Sequence, residues 1–269
     1  MMKRVLSVQD LSCLGKCSLT VALPTLSAMG CECAVLPTTL LSTHTAFPAP
    51  HIRSLTCDMD PIVAHWQTTG VRFDAIGVGY LADPLQTAAV ERVLDAFPAP
   101  TVIDPVMGDH GKLYSAITAD HVAAMAHLCR RGTVLLPNVT EAAFLTGIPY
   151  RENGDEAYYE ELLTAMQVFG TEAVIITGIA QAPGKTGVMG WSKEEGFFSY
   201  EAEKLDRQCH GTGDLFAAVF TGAWTQGKTI PEAATLAAKF VEQVIAATPA
   251  ATPFGVRFEE KLPWLWEHL

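Results

Sequence analysis

The sequence has few basic residues and no long apolar run. Its 269 residues include 18 Lys and Arg against 29 Asp and Glu, which gives a formal net charge of −11 at pH 7. No stretch approaches the roughly 18 consecutive apolar residues that a membrane-spanning helix needs. An acidic chain without a basic cluster is not the composition of a protein that binds nucleic acid or an anionic membrane. We therefore expect neither of these as a partner.

The sequence also lacks the cysteine framework of disulfide-rich secreted domains. Its seven cysteines are Cys13, Cys17, Cys31, Cys33, Cys57, Cys129 and Cys209. An odd number without framework spacing is typical of a reducing compartment, so we expect a cytoplasmic protein with free thiols. Cys31 and Cys33 have no second pair of ligands at zinc-like spacing, which favours buried thiols over a metal site.

Short apolar runs alternate with helical patterns along the chain. Strands are predicted over 3–9, 33–36, 74–79, 101–104, 133–136 and 173–177, helices over 17–29, 83–97, 118–129, 156–169, 213–226, 231–247 and 258–268, and a hairpin over 187–201. This alternation predicts an α/β protein with a mainly parallel sheet and helices on both faces. No polar linker divides residues 1–269, which predicts a single domain. The proline-rich stretch 42–61 is predicted to be a flap or insertion at the sheet edge.

One short turn carries the clearest chemical signal. The run 209–214 (Cys-His-Gly-Thr-Gly-Asp) leads directly into an apolar helical pattern. The N–H groups of a first helical turn bind anions, phosphate above all, so Gly211, Thr212 and Gly213 are candidates to hold a phosphoryl group. A carboxylate repels phosphate, and Asp214 is therefore better suited to accept a proton from an attacking hydroxyl. The simpler alternative is an ordinary helix N-terminus with an acidic residue in its first turn.

Polar residues follow several of the predicted strands. They are Asp10, Tyr80, Asp104, Asn138 and Thr177, with Asp109 and Glu141 close behind two of them. Because parallel strands end at the same edge of a sheet, these side chains are expected to converge on one ligand site. Oxygen donors such as Asp104, Asp109 and Glu141 suit Mg²⁺, although turn and helix-cap chemistry explains the same residues.

Two further features suit a small aromatic ligand. The cluster 42–45 (Ser-Thr-His-Thr) places His44 and Thr45 after an apolar stretch, where they suit either the polar edge of a small molecule or an exposed loop. Tyr80 suits either stacking on a flat ring or packing in the core. Together with the strand-end residues, they favour an enzyme that acts on a small molecule.

Taken in order, these motifs resemble the pyridoxal kinase group of the ribokinase-like superfamily. The matching segments are 8–10 with Gly15, 39–45, 77–80 with Asp83, 104–109, 137–141, 211–214 and 254–258. They extend over essentially the whole chain. The resemblance implies a ribokinase-like fold without a large lid domain. It also implies an ATP-dependent kinase that phosphorylates the 5′-hydroxymethyl group of pyridoxal, pyridoxine or pyridoxamine.

The resemblance implies a role for each candidate residue. These are Asp214, Gly211, Thr212 and Gly213 for catalysis, Asp10, His44, Thr45 and Tyr80 for the pyridine ring, Asp109, Asn138, Glu141 and Thr177 for ATP, and Asp104, Asp109 and Glu141 for Mg²⁺. A monovalent cation such as K⁺ often assists in this superfamily. Asp10 stands where many pyridoxal kinases have serine, and we hypothesise that it shifts preference toward pyridoxamine or pyridoxine relative to pyridoxal.

Two alternatives stay open at this point. Hydroxymethylpyrimidine kinases act on a similar flat alcohol, but they usually have cysteine in the anion-binding turn where this chain has Thr212. A non-catalytic vitamer or nucleotide sensor is the other alternative, although the full catalytic set is present. Sugar kinases of the superfamily usually carry a β-sheet lid after the first strand, and residues 11–30 here lead into a helix instead. Without a lid the sheet edge is left exposed, so we expect a homodimer.

Overall fold

The computed structural model describes residues 2–205, 207, 209–250 and 252–269. The strands are β1 Lys3–Ser12, β2 Cys31–Leu41, β3 Ile52–Ser54, β4 Ala75–Val78, β5 Thr101–Ile103, β6 Gly108–Asp109, β7 Lys112–Leu113, β8 Val134–Leu135, β9 Ala173–Ile179, β10 Lys185–Ser192 and β11 Gly196–Glu203. The helices are α1 Leu19–Ala28, α2 Thr56–Thr69, α3 Pro84–Ala96, α4 Ala119–Cys129, α5 Val139–Thr146, α6 Glu156–Met166, α7 Thr212–Thr225, α8 Ile230–Ala247 and α9 Leu262–His268.

Nine of the strands in the described ranges form one sheet, in the order β11-β10-β9-β8-β5-β4-β1-β2-β3. The six strands from β9 to β2 are parallel to one another. The strands β10 and β11 on one side and β3 on the other are antiparallel to their neighbours. The predicted, mainly parallel sheet is thus confirmed. Strands β6 and β7 form a separate small hairpin.

Helices cover both faces of the sheet because successive strand residues point to opposite sides. In β9, Val174 and Ile176 pack in the core beneath α2 to α6, whereas Ala173 and Ile175 pack in the core with α7, α8 and α9. The predicted two-sided helical covering is confirmed. None of the described helices is long and apolar enough to cross a bilayer.

The structure describes every residue of the connection between β1 and α1, and this connection contains no lid. A short loop closed by the bridge between Leu11 and Ser18 leads directly into α1. This confirms the prediction for residues 11–30. Pro24 lies within α1, as the sequence pattern allowed.

The interpretation of 42–61 as one loop is wrong for its second half. Residues 52–54 form β3 at the edge of the sheet, and α2 begins at Thr56 and contains Pro61. Proline disfavours a helix interior because it has no N–H to donate. Burial of Met59 and Val63 in the core offsets that loss here. The position at the sheet edge was predicted correctly.

The seven cysteines are free. Cys31 is buried and Cys33 half-buried, and burial raises the pKa of Cys33 to about 12. A thiol with so high a pKa is a poor metal ligand, because the thiolate is the form that binds. Cys31 and Cys33 are therefore the buried thiols that the spacing predicted.

Candidate active site

A cavity of about 670 Å³ opens at the carboxyl ends of the parallel strands. All of the predicted site residues line it: Asp10, His44, Thr45, Tyr80, Asp104, Asp109, Asn138, Glu141, Thr177, Gly211, Thr212, Gly213 and Asp214. Strand ends β1, β4, β5, β8 and β9 supply the polar groups, and the start of α7 closes the other side. The convergence that the strand-end pattern predicted is therefore present.

The two glycines of the turn at the start of α7 have different surroundings. Gly211 has a φ of 86°, which favours glycine, and a Cβ there would collide with the carbonyl oxygen of Lys16. A Cβ on Gly213 would meet no atom of the described chain within 4 Å, because it would point into open space. Gly211, Thr212 and Gly213 line the cavity, and the N–H groups of a first helical turn have no partner within their own helix.

Two carboxyl groups, those of Asp214 and Asp10, line the cavity. Burial raises the pKa of Asp214, while the N–H of Ser18 lowers it. Asp10 is 4% exposed, and burial raises its pKa to about 7, with the charge of Asp214 acting in the same direction. An elevated pKa near neutrality suits a group that gains and loses a proton during a reaction.

Glu141 and Asn138 have a structural role as well as a place in the site. Asn138 is the N-cap of α5 and accepts from the Glu141 N–H at 2.9 Å. The Glu141 carboxylate accepts from the N–H groups of Asn138 at 2.8 Å and Met107 at 3.0 Å. Burial nevertheless raises the pKa of Glu141 to about 8. The helix cap and the site residue are therefore the same side chains, so the two interpretations do not exclude each other.

The carboxylates assigned to Mg²⁺ do not form a complete metal site by themselves. Asp109 is exposed and accepts from the His110 N–H at 2.8 Å. Among the residues that the structure describes, no three His, Cys, Asp or Glu side chains are grouped to hold an ion. Burial raises the pKa of Asp104, and the charges of Glu141 and Asp214 raise it further. Acidic oxygens suit Mg²⁺ that takes its remaining ligands from substrate phosphates and waters.

Another part of the cavity is built around His44. Its Nε2 contacts the carbonyl oxygen of Pro253 at 3.0 Å, so this nitrogen carries the proton. The imidazole ring lies 4.9 Å from the ring of His210. Tyr80 is half-buried, and burial and Asp10 raise the pKa of its hydroxyl. Thr45 is exposed at the rim. These groups can bind a flat, polar ring.

The cavity also extends toward β10 and β11, where sequence analysis had named no residue. Apolar side chains of Leu205, Phe216, Val241 and Ile245 line this part. Arg207 donates to three carbonyl oxygens at the end of α8, those of Ile245, Ala246 and Thr248, at 3.2, 3.0 and 2.6 Å. The helical periodicity of α8 predicts its buried face, but nothing in the sequence predicts which residues of that helix reach the cavity.

Comparison with known proteins agrees with this geometry. A family model described as phosphomethylpyrimidine kinase matches residues 21–256. The chain belongs to the phosphomethylpyrimidine kinase family.

Two solved structures and one further relative are similar to the chain over nearly its whole length. One is a Bacteroides thetaiotaomicron protein described provisionally as a phosphomethylpyrimidine kinase, whose orthorhombic crystal form contains pyridoxal. It is 35% identical, with a TM-score of 0.94 over 100% of this chain and 97% of that one. The pyridoxal kinase of Lactobacillus plantarum is 32% identical, with a TM-score of 0.90 over 99% and 98%. The pyridoxine/pyridoxal/pyridoxamine kinase of Bordetella pertussis is 29% identical over 92% of this chain and 90% of that protein.

These similarities confirm the resemblance to pyridoxal kinases, and with it the ribokinase-like fold and the assignment as a kinase. They do not test individual residues. The assigned roles of the thirteen cavity residues named above therefore stay predictions.

Proposed function

We propose that this chain transfers the γ-phosphoryl group of ATP to the 5′-hydroxymethyl group of a vitamin B6 vitamer. One observation carries the proposal. The anion-binding turn and Asp214 line the same cavity as the ring-binding group His44, Tyr80 and Asp10. A candidate base, candidate phosphoryl-binding amides, polar groups suited to a ring and apolar side chains suited to a nucleotide base therefore share one cavity.

The reaction follows from this arrangement. The vitamer hydroxyl loses its proton to a carboxylate oxygen of Asp214 as its oxygen bonds to the γ-phosphorus. The bond from that phosphorus to the oxygen bridging to the β-phosphate breaks, and ADP leaves. Charge that develops on the transferring group is stabilised by the N–H groups at the start of α7, which are already oriented for it. The raised pKa of Asp214 makes it a stronger proton acceptor than an exposed aspartate.

ATP is proposed to lie over the β9 to β11 side of the cavity. Its base would contact the apolar group Leu205, Phe216, Val241 and Ile245, and its phosphates would pass Thr177 and Asn138 toward Gly211. Asp104, Asp109 and Glu141 would hold Mg²⁺, which neutralises phosphate charge when bound. A monovalent cation such as K⁺ is proposed on the resemblance alone. The free thiols support a cytoplasmic location.

Phosphorylation of hydroxymethylpyrimidine is the second candidate function. The family match itself favours it, since that model is described as phosphomethylpyrimidine kinase. We favour the vitamer as substrate because Thr212 and the segment 8–10, which contains Asp10, resemble pyridoxal kinases more closely than hydroxymethylpyrimidine kinases.

The test is ADP release with Mg-ATP and, separately, pyridoxal, pyridoxine, pyridoxamine and hydroxymethylpyrimidine. Release with at least one vitamer supports the proposal. Release with the pyrimidine alone would retain the mechanism and reject the vitamer. ATP binding without release in any of the four reactions would favour the sensor.

The charge of Asp10 is expected to influence which vitamer is preferred. A carboxylate at the ring-binding end favours a protonated ring or an amine substituent, so Asp10→Ser is expected to lower kcat/KM for pyridoxamine and pyridoxine relative to pyridoxal. The measurement is kcat/KM for the three vitamers in both proteins. An unchanged ranking would reject this role.

Asp10 is also expected to make stability depend on pH. The carboxyl has a pKa of about 7 in the folded protein, against an ordinary value of 3.8 for aspartate. Between these values the folded protein keeps a proton that the unfolded chain releases, so the free energy of unfolding falls as pH rises. Asparagine does not ionise, so Asp10→Asn does not lose this stability. We therefore expect the free energy of unfolding of Asp10→Asn, measured relative to the wild type, to be roughly 2–4 kcal/mol higher at about pH 8 than at about pH 4.

Urea unfolding of both proteins at the two pH values measures this difference. Asp74→Asn is the opposite control, because hydrogen bonds from the Arg4 N–H and the Lys3 ammonium lower the pKa of Asp74. Asp74→Asn is expected to be less stable than the wild type at the higher pH. If the free energy of unfolding of Asp10→Asn differs from that of the wild type by the same amount at both pH values, the account is contradicted.

We also propose a homodimer. The edge strand β3 is exposed, and its Ile52 is 52% exposed. An exposed strand edge with an apolar side chain is a surface that proteins usually cover. Light scattering is expected to give twice the 28.9 kDa mass of the chain. A monomeric mass would reject the dimer.

A further inference from the structure

Ser18 precedes α1 in a backbone conformation that serine rarely adopts. Its φ is 53° and its ψ is −124°, a combination that glycine populates far more readily than other residues. Such conformations persist where the surrounding structure imposes them, and they are concentrated at functional sites. Ser18 is 4% exposed, so its surroundings are protein and the cavity that it lines.

The side chain of Ser18 does not have the role usual for serine at a helix start. At an N-cap, the serine oxygen normally accepts from an N–H two or three residues later. Ser18 makes no such bond. Its hydroxyl donates instead to Oδ1 of Asp10. The side chain is thus directed away from its own helix and toward the site.

Ser18 also acts on Asp214. Its N–H lowers the pKa of that carboxyl, against the effect of burial. The charge of Asp214 in turn raises the pKa of Asp10, and both carboxyl groups line the same cavity as Ser18. The hydroxyl proton is used by Asp10, which leaves the backbone N–H of Ser18 to act on Asp214.

We propose that Ser18 is a positioning residue for phosphoryl transfer, which holds the base Asp214 and the ring-side carboxyl Asp10 in one fixed arrangement. This inference rests on the proposed function, because it assigns the base of that reaction. It adds a residue that no sequence motif indicated, at a position where serine predicts only an ordinary helix cap.

The test compares Ser18→Ala and Ser18→Gly with the wild type. Alanine removes the hydroxyl and keeps the unfavourable φ, whereas glycine removes the hydroxyl and accepts that φ freely. Both are expected to lower kcat by about tenfold to hundredfold, since small displacements of a reacting group have effects of this size. The KM for ATP is expected to change by less than about twofold. Ser18→Gly is expected to melt at or above the temperature of Ser18→Ala.

Ser12→Ala is the matched comparison. The Ser12 hydroxyl donates to the other oxygen of Asp10 at 3.4 Å, and the pKa of Asp214 shows no influence of Ser12. A smaller loss of kcat than in Ser18→Ala is expected. An equal loss would show that only Asp10 is involved and would overturn the proposed link to Asp214.

A double variant tests whether Ser18 acts through the base. If it does, Ser18→Gly combined with Asp214→Asn is no slower than Asp214→Asn alone. Independent, multiplied losses would overturn the proposal. So would an unchanged kcat in both single variants, or a loss of kcat accompanied by a lower melting temperature in Ser18→Gly than in Ser18→Ala.

The outcome for Ser18 can be separated from the outcome for the proposed function. The variants are assayed with whichever of the four alcohols the wild type phosphorylates. Activity on the pyrimidine alone rejects the vitamer and leaves the Ser18 comparison intact. A wild type that phosphorylates none of them rejects both proposals.

Discussion

Replacing Asp214 with asparagine is expected to lower kcat by about 10²- to 10⁴-fold, the range over which a positioned general base contributes. Asparagine keeps the size of the side chain and a hydrogen-bonding oxygen, but it cannot accept the hydroxyl proton. The KM for ATP is expected to change little, because the proposed nucleotide contacts are with residues on the β9 to β11 side of the cavity. Steady-state ADP release and the melting temperature are measured together.

Stability separates loss of the base from loss of the fold in this experiment. The pKa of Asp214 is raised, so its charge destabilises the folded protein above that pKa, and the variant is expected to be at least as stable as the wild type near neutral pH. Asp155→Asn is the matched control. Asp155 caps α6 by accepting from the Tyr158 N–H at 3.0 Å, a role that asparagine fills equally well. Activity of Asp214→Asn within tenfold of the wild type would reject Asp214 as the base.

The two glycines of the turn are expected to respond differently to alanine. Gly211→Ala introduces a Cβ where φ is 86° and where the Lys16 carbonyl oxygen lies. We expect it to lose about 2 kcal/mol of stability or more, because the strain and the collision add. Displacement of the N–H groups is expected to lower kcat by about 10²-fold.

Gly213→Ala is the contrasting variant. Its Cβ would meet no described atom of the chain, so the fold is expected to be as stable as the wild type or slightly more so. Phosphoryl transfer is expected to fall by about tenfold, because a methyl group would occupy the approach to the anion-binding N–H groups. Urea unfolding and kcat/KM for ATP distinguish the two variants. Equal destabilisation by both, or full activity of Gly213→Ala, would contradict the assigned geometry.

Local sequence signals predicted most of the fold and of this site. A glycine-rich turn before an apolar helix is recognisable within one segment, and the polar residues after each strand converge because the strands are parallel. Asp10 and Asp214 are far apart in the chain, and they were found separately, Asp10 at the end of a strand and Asp214 in the glycine-rich turn. The cap role of Asn138 and Glu141 and their place in the cavity were both visible in the spacing.

Other features depend on packing that a local pattern does not contain. Pro61 made α2 look like a loop, whereas burial of Met59 and Val63 stabilises a helix there. The apolar end of the cavity is formed where one face of α8 meets β10 and β11, which only the fold brings together. The positive φ of Ser18 has no signature in the sequence.

The protein is proposed to phosphorylate a B6 vitamer within the cavity described above. Competition between substrates tests this most directly. The protein is given Mg-ATP in limiting amount with equal concentrations of pyridoxal, pyridoxine, pyridoxamine and hydroxymethylpyrimidine, and the products are identified by mass spectrometry. The account predicts that the 5′-phosphate of one or more vitamers is the main product and that Asp214→Asn abolishes it. A product that is mainly the pyrimidine phosphate, or no phosphorylated alcohol at all, would contradict it.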